Sequence, residues 1–271
     1  MKNIISLFIL ISLLISSCAT SPTGRSQLML VSPEQAILSS REAYVQTLQP
    51  LQKEGKIDND PRTAARVRYI TGRLIAQAIA FYPQTRDWQW SVKVIDDPET
   101  VNAWCMAGGK MAIYTGLINK LEATDDEIAQ VMGHEISHAL ANHTAERMSM
   151  AMASQLGLMG VAVAAGSNDY RSAILAGSSM AAAVAITLPN SRTSEAEADR
   201  MGIELAAKAG YDPRAAAVLW EKMAKVGGNG PPQFLSTHPA PENRQETLRI
   251  LADEMMVYYV NKSSRPVYRL Q

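Results

Sequence analysis

Cysteine is nearly absent: Cys18 and Cys105 are the two in 271 residues, which excludes a disulfide scaffold. An excess of either charge is absent as well, with 26 Lys and Arg against 26 Asp and Glu. Such a balanced chain lacks the basic footprint that phosphates require, so nucleic acid is not an expected partner. Aromatics make up only 6% and Phe occurs three times, whereas Met occurs 14 times. The core must therefore lean on Ala, Leu, Ile, Val and Met. No internal repeat is visible. Apolar residues are plentiful, at 47% against 19% charged. That suffices for one large domain or two small ones and rules out wholesale disorder.

The N-terminus reads as an address. Lys2 precedes an apolar run from Ile4 to Ile15, followed by Ser16 and Ser17. A positive start, a short apolar stretch and small residues predict a signal peptide over 1–17. The run is short for a membrane span, which needs about 20 apolar residues. Ile15-Ser16-Ser17-Cys18 resembles a bacterial lipobox, in which the cysteine is lipidated and becomes the mature N-terminus. Several acyl chains anchor stably where one does not. By resemblance to Gram-negative lipoproteins, Ala19 in place of Asp implies the periplasmic, inner leaflet of the outer membrane. With Cys18 lipidated, Cys105 has no disulfide partner. Residues 19–31 hold Pro, Gly, Ser and Thr and read as a tether, leaving 32–271 as a single domain.

Helix starts are well marked. Ser32-Pro33-Glu34-Gln35 predicts a helix to about Leu51, and Asp60-Pro61 another to about Phe81. Strands are expected from Trp88, over Val101–Met106, and over Lys110–Tyr114 after a Gly108-Gly109 turn. Thr124-Asp125-Asp126-Glu127 is a capping box whose helix should reach Arg147. A second box, Ser194 to Glu197, opens a helix closed by Gly210; Asp212-Pro213 opens another to Val226, and a last runs over Pro241–Met255. Further strands are expected at Met256–Val260 and Pro266–Arg269. The fold class is α+β and mostly α-helical. The stretches 148–168 and 172–191 are charge-free and rich in Ala, Gly, Ser and Met. Their small residues and low Leu content favour closely packed helices or a lid over weak membrane spans.

The decisive string is His134-Glu135-Ile136-Ser137-His138. At about 100° per residue the two histidines share one helix face a turn apart, so both imidazoles can bind one Zn²⁺. Glu135 is offset by one residue, misses the metal and reaches a metal-bound water. His143 falls one residue short of the spacing of a third histidine ligand and lies opposite His134 on a continuous helix. It is therefore expected behind the ligands or in a structural role. The third ligand must come from elsewhere, and a carboxylate is the usual alternative. Glu195 and Asp199 are four apart on one face: Glu195 can bind zinc while Asp199 accepts a ring N–H from a liganding histidine. Glu197 should face away. His238, between Gly-rich 227–230 and a helix start, can sit on a movable loop. Two roles compete for it: hydrogen-bonding the oxyanion, or capping the open zinc position when no substrate is bound, with capping slightly favoured.

Taken together, Asn102-Ala103-Trp104 with Gly108-Gly109, Tyr114-Thr115-Gly116-Leu117, the HExxH with His143, Arg192 with Glu195 to Asp199, and Ser236-Thr237-His238-Pro239 with Arg244 resemble a known family. It is the HtpX and CAAX-prenyl-protease type of zinc metallopeptidases, which includes the mitochondrial Oma-type quality-control proteases. The resemblance covers roughly 62–250. It implies a gluzincin-like domain with a small sheet beside the HExxH helix, one Zn²⁺ per chain on His134, His138 and Glu195, and Arg244 close behind them. It also implies misfolded or misassembled envelope proteins as substrates. The long apolar spans of integral-membrane members are missing.

The expected activity is that of a zinc endopeptidase, with Glu135 as general base and the small sheet offering an edge strand to an extended substrate. The rival is a non-catalytic or latent chaperone or assembly lipoprotein using the same fold as a platform. Loss of the general base would be its mark, and Glu135 is present. The oligomeric state is left open.

Overall fold

A computed structural model describes residues 18–164, 189–226, 232–239, 243–261 and 265–270. The expected lid segment therefore lies mostly outside the described residues, as does the signal peptide. Among the described residues no helix is long and apolar enough to cross a membrane.

The chain opens with a hairpin, β1 (Cys18–Thr20) paired antiparallel to β2 (Ser26–Leu28). Helix α1 (Pro33–Lys53) starts on a complete capping box of Ser32 and Gln35. Helix α2 (Pro61–Phe81) starts on Asp60, whose carboxylate accepts from the N–H groups of Arg62 and Thr63. Both starts were legible because a cap needs only neighbours in sequence. The sheet follows: β3 (Ser91–Ile95), β4 (Ala103–Met106) and β5 (Lys110–Tyr114). Trp88 precedes β3 rather than joining it.

The Gly108-Gly109 turn, with φ of 79° and 77°, joins β4 and β5 as the expected hairpin. A Cβ on Gly109 would fall 2.3 Å from the Trp90 ring. The strand order is β3-β5-β4, with β3 parallel to β5. This places β5 in the middle and, among the described residues, leaves β4 with an open edge.

Helix α3 (Thr115–Lys120) leads to α4 (Asp125–Leu140), which carries the HExxH and begins on the Thr124–Glu127 capping box. It is buried from Glu127 to Leu140, because α2, β4, α6 (Arg192–Ala209) and α7 (Ala215–Val226) surround it. Helix α4 and α6 cross where Gly133 meets Gly202, and no side chain holds the backbones apart there.

Four expectations need correction. The HExxH helix does not run to Arg147: it stops at Leu140, Asn142 takes a left-handed φ of 56°, and α5 (His143–Ala164) starts afresh. Helix α6 begins three residues earlier than read, on a Ser191 cap in place of Ser194. The tail from Met256 is not a strand. It completes α9 (Arg244–Val260), and 265–270 is irregular, held where Tyr268 N–H donates to Gly72 O at 2.9 Å. The segment read as a tether is a hairpin docked on α5 and α6 through Arg25 and Gln27. Between α7 and α9 lies the short α8 (Gln233–Thr237).

Candidate metal centre

Helix α4 presents His134 and His138 on one face, and α6 brings Glu195 against them at the glycine crossing. Residue His238, at the end of α8, completes a cluster in which four buried donor atoms lie within 4.8 Å of one another. His134 Nε2 is 3.0 Å from His138 Nε2 and 3.2 Å from His238 Nδ1. The Glu195 carboxylate is 3.3 Å from His134 Nε2, 3.3 Å from His138 Nε2 and 3.0 Å from His238 Nδ1. A tetrahedral ion with bonds of about 2.0–2.1 Å sets its ligands about 3.3–3.4 Å apart. The donors stand at nearly that spacing.

The ring tautomers follow from the partners. His134 Nδ1 lies 3.0 Å from Asp199 Oδ1, a short but oblique contact, as the four-residue spacing anticipated. With the proton on that side, Nε2 keeps a bare lone pair. His143 Nε2 faces Glu197 Oε2 at 3.0 Å, and a carboxylate can only accept. Neutral His143 therefore accepts at Nδ1 from His138 Nδ1, 2.7 Å away, and His138 Nε2 is bare too. Two lone pairs and a carboxylate then converge on one point, a donor set that could hold a divalent cation. Burial pushes the His134 imidazole down, but Asp199 and Glu195 outweigh it and raise its pKa to about 9. His138 is driven well below its usual value by burial. The carboxylates thus call for a positive charge at this point, which a metal supplies without a proton.

Behind the donors, Arg244 Nη2 donates to Asp199 Oδ1 at 2.7 Å and reaches Glu195 Oε2 at 3.3 Å. Its guanidinium stacks 3.5 Å over the Trp220 ring. This one buried cation serves both acidic groups.

Glu135 points the other way, toward the sheet. Its Oε2 accepts the Cys105 N–H of β4 at 3.1 Å, and its Oε1 is 3.3 Å from His238 Nε2. Burial pushes its carboxyl up, against the pull of His238 and His134. A cleft of about 220 Å³ runs along β4 past Glu135, lined among others by Asn102, Trp104, Arg147, Asn190 and Thr237. Cys105 is buried in this wall, and burial holds its thiol well above the usual range.

The structure thus brings together His134, Glu135, His138, Glu195, Asp199, Arg244 and His238. His143 sits behind His138, although not by the route expected. The break at Asn142, rather than a continuous helix, turns its ring back. Glu197 does face away from the donors, but it is buried and takes up His143. Asn190, whose side-chain nitrogen is 3.4 Å from His238 Nδ1, and Arg147, which donates to Asn190, carried no signal in the sequence. Of Cys18 the structure fixes only its place at the head of β1.

Comparison with known proteins places this arrangement. The chain is 34% identical over 235 residues to the mitochondrial metalloendopeptidase OMA1 of Bos taurus, covering 83% of this chain and 44% of that protein. The Arabidopsis thaliana mitochondrial metalloendopeptidase OMA1 is 36% identical over 172 residues, 62% of this chain and 33% of its own length. The β-barrel assembly-enhancing protease of Escherichia coli (strain K12) is 28% identical over 212 residues, 76% of this chain and 42% of that one. The chain spans less than half the length of these relatives. The sequence profile of Peptidase family M48 matches residues 61–252, a stretch that takes in the sheet, the HExxH helix, Glu195 and Arg244. By that match and by its relatives, the chain belongs to peptidase family M48.

Proposed function

We propose that this protein is a zinc endopeptidase that cleaves unfolded or misassembled envelope polypeptides from a lipid-anchored position at the outer membrane. One observation carries the reading: a buried carboxylate, Glu135, stands between the metal donors and the open edge of β4. Zinc held by His134, His138 and Glu195 supplies a Lewis acid that polarises a carbonyl and makes water acidic near neutral pH. The chain's residues do the rest. An extended polypeptide adds to the free edge of β4 by main-chain hydrogen bonds, which selects unfolded segments over particular sequences. Glu135, steadied by the Cys105 N–H, takes the proton of the attacking water and hands it to the departing amine.

His238 is read here as a cap. Its Nδ1 stands among the donors while its Nε2 faces Glu135. A ring so placed stands against the donors on one side and 3.3 Å from the free oxygen of the base on the other, where water or substrate would have to enter. The ring is stacked on Phe234 with centroids 4.3 Å apart, at the end of the five-residue α8. Moving this short element opens the cleft.

The name of the Escherichia coli relative, which ties it to β-barrel assembly, supports envelope proteins as the substrate class. The lipobox-like sequence before Cys18 supports the anchor. Because β1 starts at Cys18, a lipid there would hold the domain against the bilayer rather than on a leash.

Casein cleavage and bound zinc, measured on the wild type, Glu135→Gln and His238→Ala, test the reading. Glu135→Gln should keep zinc and lose at least ~10²-fold in turnover, whereas His238→Ala should raise basal activity. Near-normal proteolysis by Glu135→Gln would refute the mechanism, and lowered activity in His238→Ala would replace the cap by a role in the transition state.

A further inference from the structure

Beyond the donors and their immediate neighbours, a line of hydrogen bonds leads out of the metal centre to the N-terminal hairpin. His138 bonds His143, and His143 bonds Glu197. Glu197 is buried on α6, and its carboxylate needs partners that α6 does not provide. They come from 172 to 174 residues away in sequence: Thr23 Oγ1 donates to Oε1 at 2.6 Å and Arg25 Nε to Oε2 at 3.0 Å. Arg25 also forms a two-pronged pair with Glu146 on α5, Nη1 to Oε1 at 2.6 Å and Nη2 to Oε2 at 2.7 Å. Gln27 donates to the same Glu146 at 2.9 Å and to the carbonyl of Ala141, where α4 ends, at 2.8 Å.

These contacts converge on the break between α4 and α5, the feature that turns His143 toward His138. One guanidinium bridges the carboxylates of two helices, a geometry a planar fork satisfies and an ammonium does not. The negative charge of Glu197 and Glu146 beside a ligand's supporting histidine is thereby paired by a segment outside the HExxH region altogether.

We propose that Thr23 and Arg25 are positioning residues of the metal centre, holding Glu197 so that His143 keeps His138 turned with its Nε2 lone pair toward the metal. The inference rests on the reading of the cluster as a zinc site. The hairpin is then a working part of the metallopeptidase domain, and its first residue, Cys18, is the one proposed to carry lipid. An anchor there would sit in the same hairpin as Thr23 and Arg25, opposite Leu28.

The test uses the full chain purified in detergent. Zinc affinity is measured by competition with a chromophoric chelator, and ligand geometry by the visible absorption bands of the Co²⁺-loaded protein. Partners behind a ligating histidine typically contribute about 10–100-fold to metal affinity. Arg25→Gln should therefore weaken zinc binding by about ten-fold or more and shift the Co²⁺ bands. Thr23→Val, which is isosteric and keeps the fold, should do so to a smaller degree, and Thr23→Ser should restore the wild type. Asp58→Asn, far from the metal, serves as a destabilised control that leaves zinc affinity and bands unchanged. Wild-type affinity and bands in both Arg25→Gln and Thr23→Val would overturn the inference alone. A wild type that takes up no zinc would overturn the metal-centre reading together with it.

Discussion

Substituting Gly202 by Ala should loosen the metal centre without altering any of its side chains. At the crossing of α4 and α6, a Cβ on Gly202 would lie 2.7 Å from the His134 nitrogen and 2.8 Å from its Cα. Ordinary contact starts at 3.4 Å, so the backbones must part by about 0.7 Å. Both are helix backbones with nowhere to rotate. Glu195 lies two turns before Gly202 on the same side of α6, and it moves with the helix. Metal–ligand distances tolerate about ±0.2 Å, so the displacement exceeds the tolerance about threefold. Two stability terms oppose each other. Overpacking costs about 1–3 kcal/mol, while Ala in a helix interior recovers about 0.8–1.0 kcal/mol over Gly. A net loss of about 1 kcal/mol lowers Tm by only about 2–4 °C in a domain of this size. Zinc affinity is therefore the sharper readout, and a fall of at least about ten-fold is expected, on the scale of other losses of ligand orientation. Chelator competition on Gly202→Ala, beside a thermal melt, measures both. Zinc affinity within two-fold of wild type, with an unchanged or higher Tm, would refute the claim that this glycine contact sets the distance between Glu195 and the histidines.

Three further outcomes are expected. Arg244→Met leaves Glu195 and Asp199 buried without their shared cation and should cost about 3–5 kcal/mol in urea unfolding, as breaking a buried pair does; a loss below 1 kcal/mol would show that the metal alone neutralises them. Burial raises the Asp58 carboxyl, but the Val94 N–H, Lys93 and Arg68 outweigh it and leave it below its ordinary 3.8. Its contribution is thus complete above that value and lost as pH falls through the lower folded value. Asp58→Asn, which tolerates the left-handed φ of 53° at this position, should unfold at lower urea than wild type near neutral pH, with the gap closing in strong acid; a gap constant with pH would remove the assignment. Cys18→Ser should leave an unprocessed precursor that takes up no radiolabelled palmitate, and equal labelling of both forms would dismiss the lipid anchor.

The sequence alone determined what depends on neighbours within a turn or two. The caps at Ser32, Asp60 and Thr124 were legible because each is a local hydrogen bond. So were His134 with His138, and Glu195 with Asp199, because a four-residue spacing fixes a shared helix face wherever the helix goes. The Gly108-Gly109 hairpin was legible for the same reason, since positive φ at both positions bends the chain back. The tertiary structure decided what spans many residues or hangs on a single backbone break. Nothing local to β3 says that it pairs in parallel with β5, yet that pairing leaves β4 at the edge. Helical periodicity runs on past Leu140, and only the left-handed turn at Asn142 sends His143 back to His138. His238 meets His134 across 104 residues, and Arg25 meets Glu197 across 172. Contacts at such separations come from helix packing around α4, and no periodicity encodes them. His238, expected on a movable loop with a capping or oxyanion role, takes its place among the donors only through that packing, and a segment that read as a tether supports them from behind.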